Sequence, residues 1–107
     1  MPIYSAQPDL DIPHSTVYDV LFGNLADEVR DHIAITDDAT GSTTTYAELK
    51  ALVDAFAGAL THRGIKPGDV IGLHCPNSLA FAVAFHGSLR AGASVTTLGA
   101  LLNTAVL

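Results

Sequence analysis

Cysteine occurs once in these 107 residues, at Cys75, and one thiol cannot build an internal disulfide framework, so a stapled secreted scaffold is excluded. Basic residues are scarce as well: 5 Lys and Arg stand against 11 Asp and Glu. The resulting net charge of −6 repels a phosphate backbone, so no nucleic-acid partner is expected. No run approaches the ~18 uninterrupted apolar residues of a spanning helix, so no membrane span is expected either. The opening MPIYSAQPDLDIPHST has neither a basic start nor an apolar block and does not read as a signal peptide. A cytoplasmic location is the expectation. Charge of either sign is thin, at 15% of residues against 49% hydrophobic. A chain of this length buries only about two-thirds of its unfolded surface. With the membrane set aside, protein outside these residues is expected to cover the apolar surplus.

Residues 1–14 contain Pro2, Pro8 and Pro13 and no hydrophobic period, which predicts an extended arm. Ser15 or Thr16 can then cap a helix carrying Val17, Val20, Leu21 and Leu25, with Asp19 near its positive end, fraying at Gly23 or ending near Val29. Ile33–Asp38 and Ser42–Tyr46 flank Ala39, Thr40 and Gly41 and read as a small hairpin. Thr45 and Glu48 have capping-box spacing and open a helix. Tyr46, Leu49, Leu52, Val53, Phe56, Ala57 and Leu60 share one stripe of it, while Lys50, Asp54, Thr61 and His62 face away. Gly64 stops that helix, and Lys66, Pro67 and Gly68 turn into DVIGLH, an apolar run suited to a central strand buried on both faces.

Asn77 or Ser78 caps the next helix, LAFAVAFHGSLRAG. Leu79, Ala82, Val83 and Leu89 lie on one side of it, Phe81 and Phe85 nearly opposite, and Ala80, Ala84, Gly87 and Ala91 form a strip of small residues between them. Both flanks want burial, and Phe81 and Phe85 would each leave about 2 kcal/mol unrealised if nothing packed on them. ASVTTL then reads as a second strand, making Val70 to Leu98 a strand–helix–strand crossover, of the kind that is parallel and right-handed. The predicted fold class is α/β: the start of a layered α/β/α domain with a parallel crossover, incomplete on its own.

Residues that could carry chemistry do not assemble into a motif. His14, His32, His62, His74 and His86 include no pair at the three- or four-residue spacing that aligns metal ligands on a helix. His74 and Cys75 could suggest a base beside a thiol nucleophile, but neighbours on a strand point to opposite faces, and a buried structural cysteine is expected. Asp27 with Glu28 and Asp37 with Asp38 read as solvated loop charges. TGSTTTY resembles a phosphate-cradling loop in composition only, since Gly41 begins a hairpin return and no Lys follows until Lys50. No GxGxxG is present.

Taken in order, these blocks resemble the start of the adenylate-forming acyl-CoA synthetases, nearest to the 4-coumarate:CoA ligase branch. The resemblance rests on Thr45, Tyr46, Glu48 and Leu49 as the TYxEL helix start, Gly68 and Asp69 before the strand, Pro76, Asn77 and Ser78, and Leu89 to Ala93 as LRAGA. It covers about residues 15–97. It implies an N-terminal fragment, with 15–107 forming part of the large N-terminal domain of a ligase several times longer. That ligase would use ATP and Mg²⁺ to adenylate a carboxylic acid and would pass the acyl group to coenzyme A. The family's phosphate loop ending in Lys, its aromatic-Gly-x-Thr-Glu segment, its ribose-binding Asp, its hinge and its catalytic Lys have no counterpart among these residues. No catalytic, cofactor-binding or metal residue is therefore assigned. The chain is expected to be inactive alone, to bind no cofactor, and to meet either the remainder of the parent enzyme or a second copy through exposed apolar faces. The alternative is a short binding or interaction module that keeps the scaffold without catalysis. The tail LGALLNTAVL lacks the Asn-Pro type turn usual in relatives, Gly99 and Thr104 keeping a faint echo of the pattern.

Overall fold

The computed structural model describes residues 2–99 and residue 101. The tail after Gly99, expected above to depart from the pattern of relatives, lies outside the described residues except for Leu101. Residues 2–14 hold no helix or strand and are exposed throughout. Thr16 caps α1 (Val17–Phe22), its hydroxyl accepting from the Asp19 amide at 3.1 Å. Gly23 closes the helix by donating to Asp19 O. The helix is thus shorter than the sequence suggests, and a separate turn, α2 (Asp27–Arg30), follows. Its buried face also differs from the expected one. Tyr18 and Phe22 are enclosed, whereas Val17, Val20 and Leu21 are 55%, 59% and 49% exposed. One helical turn apart, the two aromatics pack together against Leu49 and Val53, and the Tyr18 hydroxyl finds a partner in Asp54, so the helix is rolled to bury them.

The hairpin forms as expected. β1 (Ile33–Thr36) pairs antiparallel with β2 (Thr43–Thr45), with an irregularity between Ile33 and Ile35. The Asp37 amide donates to Ser42 O and the Gly41 amide to Asp37 O, with Gly41 at φ 75°, a left-handed conformation that glycine adopts without steric cost. β2 runs directly into α3 (Tyr46–His62) through the expected capping box: the Glu48 amide donates to Thr45 Oγ1 at 3.2 Å, and the Thr45 amide to Glu48 Oε2 at 3.4 Å. Leu49, Val53 and Ala57, four residues apart, form the buried line of α3, while Leu52 at its margin is 42% exposed.

β3 (Val70–Leu73) and β4 (Ser94–Thr97) are parallel, in register from Val70 opposite Ser94 to Leu73 opposite Thr97, and α4 (Leu79–Arg90) connects them. The crossover read from the sequence is therefore present. The expectation that its first strand is buried on both faces is not met, since only Leu73 is buried and Val70 is 67% exposed. The physical reason is a missing layer: among the described residues the sheet has two strands, and parallel strands become central only with neighbours and helices on both faces.

α4 packs mainly on α3. Close approach is possible because Gly87 faces Phe56, where a Cβ would meet ring and Cβ atoms at 2.6 and 3.0 Å. Leu79 and Val83 join the core of Tyr18, Phe22, Leu49 and Val53. Phe81 and Phe85 are half-buried and lie against one another, ring centroids 6.3 Å apart and planes within 8°. The other flank of α4 is thus partly covered, by its own aromatics. The chain exposes 8079 Å², against about 5,700 Å² for a compact monomer of its mass, and its radius of gyration is 16.9 Å against about 13 Å. The extended arm adds to both figures, and the open sheet and the outer face of α1 add to the exposed area.

Candidate functional site

A concavity of about 460 Å³ lies where the hairpin meets the entrance of α4. Ile35, Thr36, Asp37, Asp38 and Ala39 line one wall, and Asn77, Ser78 and Leu79 the other. Its polar groups mostly serve the local backbone. Asp37 Oδ1 accepts from the Ala39 and Thr40 amides at 2.9 and 3.2 Å, holding the hairpin turn. Ser78 Oγ accepts from the Phe81 amide at 3.3 Å as the N-cap and donates to Pro76 O at 3.0 Å. Among the described residues no Lys or Arg lines this cleft, and Asp37 and Asp38 bring negative charge to it. A nucleotide triphosphate would meet repulsion there, so these residues do not fit ATP by themselves.

A second cluster, where α1 meets α3 and α4, escaped the sequence reading. The Tyr18 hydroxyl donates to Asp54 Oδ1, and Lys50 Nζ holds Asp54 Oδ2 at 2.9 Å. The Arg90 guanidinium lies over the Tyr18 ring, 4.4 Å from its centroid, with Lys50 Nζ 5.7 Å away. Lys50 and Asp54 were expected to face away from the packed side; they are half-buried beside Tyr18 instead, because the roll of α1 brings that phenol to them. Burial pushes the Asp54 carboxyl up, but the hydrogen bonds from Tyr18 and Lys50 outweigh it and hold the group below its ordinary value. The hydrogen bond to Asp54 in turn raises Lys50. The i, i+4 spacing of Lys50 and Asp54 was visible in the sequence; that an aromatic from another helix completes the set was not. This arrangement clasps helices together and holds no nucleophile with its base.

The remaining sequence candidates are scattered. His14, His32, His62 and His74 are exposed, and only His86 is half-buried. Among the described residues no three His, Cys, Asp or Glu side chains converge on one point. Cys75 is half-buried, against the expectation of a buried thiol, and its Sγ lies 3.2 Å from Pro76 O. The cause is that β3 ends at Leu73, so His74 and Cys75 sit in the loop before α4 instead of on a strand. Asp27 and Glu28 occupy the exposed first turn of α2. Thr40, Gly41 and Ser42 form the exposed hairpin turn, where the Asp37 carboxylate already takes the Thr40 amide.

Comparison with known proteins gives a consistent result. Residues 22–106 match the family described as AMP-binding enzyme. The chain is 42% identical over 94 residues to 4-coumarate–CoA ligase 5 of Oryza sativa subsp. japonica, covering 87% of this chain and 17% of that protein. It is 33% identical over 94 residues to peroxisomal OPC-8:0-CoA ligase 1 of Arabidopsis thaliana, covering 88% of this chain and 17% of that protein. Among solved structures, a benzoate CoA ligase from Burkholderia xenovorans LB400 superposes with a TM-score of 0.77 at 33% identity, over 85% of this chain and 18% of that one. ATP-bound MatB from Rhodopseudomonas palustris gives the same TM-score at 27% identity, with the same coverage. The chain therefore spans about a sixth of the length of the curated relatives it matches. With the family match running from the end of α1 past β4, and the parallel crossover superposing on solved CoA ligases, the chain belongs to the AMP-binding enzyme family and is similar to the 4-coumarate–CoA ligases.

Proposed function

We propose that these residues are scaffold of an acid:CoA ligase, with residues 15–107 forming the first part of its large N-terminal domain and residues 1–14 an arm. The whole ligase would adenylate a carboxylic acid with ATP and Mg²⁺ and transfer the acyl group to coenzyme A. This stretch contributes the hairpin, the capped helix α3 and the β3–α4–β4 crossover on which such a site rests. By itself it binds none of these ligands and turns over no substrate. Its partner is the remainder of the ligase or, in its absence, a second copy meeting the open apolar surface. No helix among the described residues is long and apolar enough to cross a membrane. The cytoplasm is the location proposed for the protein.

The observation that carries this reading is the 42% identity to a 4-coumarate–CoA ligase across 87% of the chain, joined to a cleft with no cationic side chain to receive phosphates. Acid-dependent exchange of labelled pyrophosphate into ATP tests it, using aromatic and aliphatic acids with the 107-residue chain. The expected rate is that of buffer, and sustained exchange would overturn the assignment.

A further inference from the structure

α1 is six residues long and cannot persist as an isolated helix, so its contacts decide whether it forms. Two side chains anchor it, Phe22 at 4% exposure and Tyr18 at 7%, while the face carrying Val17, Val20 and Leu21 is open. Phe22 meets α4 through His86: the ring centroids are 5.6 Å apart with the planes at 79°. On its other side the same imidazole meets Phe85 at 5.2 Å and 86°. His86 is thus the middle ring of three, and it is the one that can acquire a charge near neutral pH.

We propose that this stack makes α1 a proton-sensitive latch: α1 stays docked on α4 while His86 is neutral, and acidification releases α1 with its arm while the α3–α4 pair remains together. Among the described residues no carboxylate pairs with His86. β3 and β4 carry no ionisable side chain. From α1 come Tyr18, already hydrogen-bonded, and Asp19, which is exposed. From α3, Lys50 and Asp54 are bound to each other and Asp54 to Tyr18, Glu48 belongs to the capping box, and His62 is exposed. Arg90, one turn further along α4, lies over Tyr18 and adds positive charge to that side.

Burial alone lowers the His86 imidazole from its ordinary value. A base whose native value is depressed contributes stability that is complete above about pH 6.5. That contribution declines as pH falls from there to the native value and is constant below it. An imidazolium can also be attracted to an aromatic face, which would strengthen docking in acid. Loss of solvation and attraction to the rings therefore predict opposite signs, and one experiment separates them.

Amide hydrogen exchange is measured by NMR between pH 7.5 and 5, corrected for intrinsic rates. The amides of Val20 and Gly23, which donate to Thr16 O and Asp19 O, report on α1, and those of Val53 and Ala57 report on α3. The proposal expects α1 protection to be lost across this range while α3 protection holds, and His86→Phe to keep α1 protected throughout. Unchanged α1 protection in the wild type, or greater protection in acid, overturns it, as does an undiminished pH response in His86→Phe. If that variant fails to protect α3, His86→Gln, uncharged at every pH and less bulky, decides by the same criteria.

Discussion

Replacing Gly87 with Ala adds one methyl group at the contact between α3 and α4, and its effect follows from two opposed terms. In a helix interior Ala is favoured over Gly by about 1 kcal/mol. Against this, the new Cβ would lie 2.6 Å from Phe56 Cδ1, 3.0 Å from its Cβ and 3.2 Å from its Cγ. The ring can rotate toward the groove beside Phe56, Ala59, Leu60 and Arg63, but its Cβ is fixed to the α3 backbone, so the helices must part. Overpacking of this kind costs about 1–3 kcal/mol. We expect a net loss of about 1 kcal/mol, a fall in Tm of about 4–8 °C for a domain of this size. Gly58→Ala is the control: this glycine also lies within a helix, yet its added Cβ meets nothing within 4 Å, so a gain of about 0.5–1 kcal/mol is expected. Urea unfolding followed by circular dichroism reads both. In a Phe56→Ala background Gly87→Ala should become neutral or stabilising. If Gly87→Ala were as stabilising as Gly58→Ala with Phe56 intact, the close α3–α4 contact would be refuted.

Thr45→Ala removes half of the capping box and should lower stability by about 1 kcal/mol in the same assay, with Thr45→Ser nearly neutral. Gly92 combines φ 90° with an added-Cβ distance of 3.1 Å to Pro67 Cγ, so Gly92→Ala should destabilise by about 1–2 kcal/mol, whereas Gly→Ala at the unconstrained Gly58 does the reverse. Asp54 is held below its ordinary value, so its contribution is complete above about pH 4 and is lost as pH falls through the native value. Tyr18→Phe should cost about 1 kcal/mol near neutral pH and flatten that acid limb in urea midpoints taken from pH 5 to 2; an unaltered limb would detach Asp54 from Tyr18.

The features legible in the sequence are those fixed by residues close along the chain. Thr45 and Glu48 satisfy each other's orphan amides, Ser78 caps α4, Gly41 closes a hairpin, and the spacing from Val70 to Thr97 leaves room for one crossover. The failures concern faces. Val17, Val20 and Leu21 have a helical period as good as that of Tyr18 and Phe22, and only the surfaces of α3 and α4 decide between them. Lys50 and Asp54 look like a solvent-facing ion pair until a phenol from another helix arrives. VIGL reads as a strand covered on both sides because its composition suits a complete sheet, whereas the sheet here has two strands among the described residues. No catalytic set was read from the sequence, and the cleft by the hairpin, lined by polar and apolar residues alike, uses its Asp37 and Ser78 side chains to hold turns and caps.

We propose that other polypeptide covers the apolar surface left open here: the outer face of α1, the open sheet with Val70, and the half-covered pair Phe81 and Phe85. Sedimentation equilibrium of the 107-residue chain over a hundredfold range of concentration tests it most directly. The predicted result is an apparent mass that rises with concentration as these faces meet in a second copy. A constant monomer mass across the range would contradict the claim.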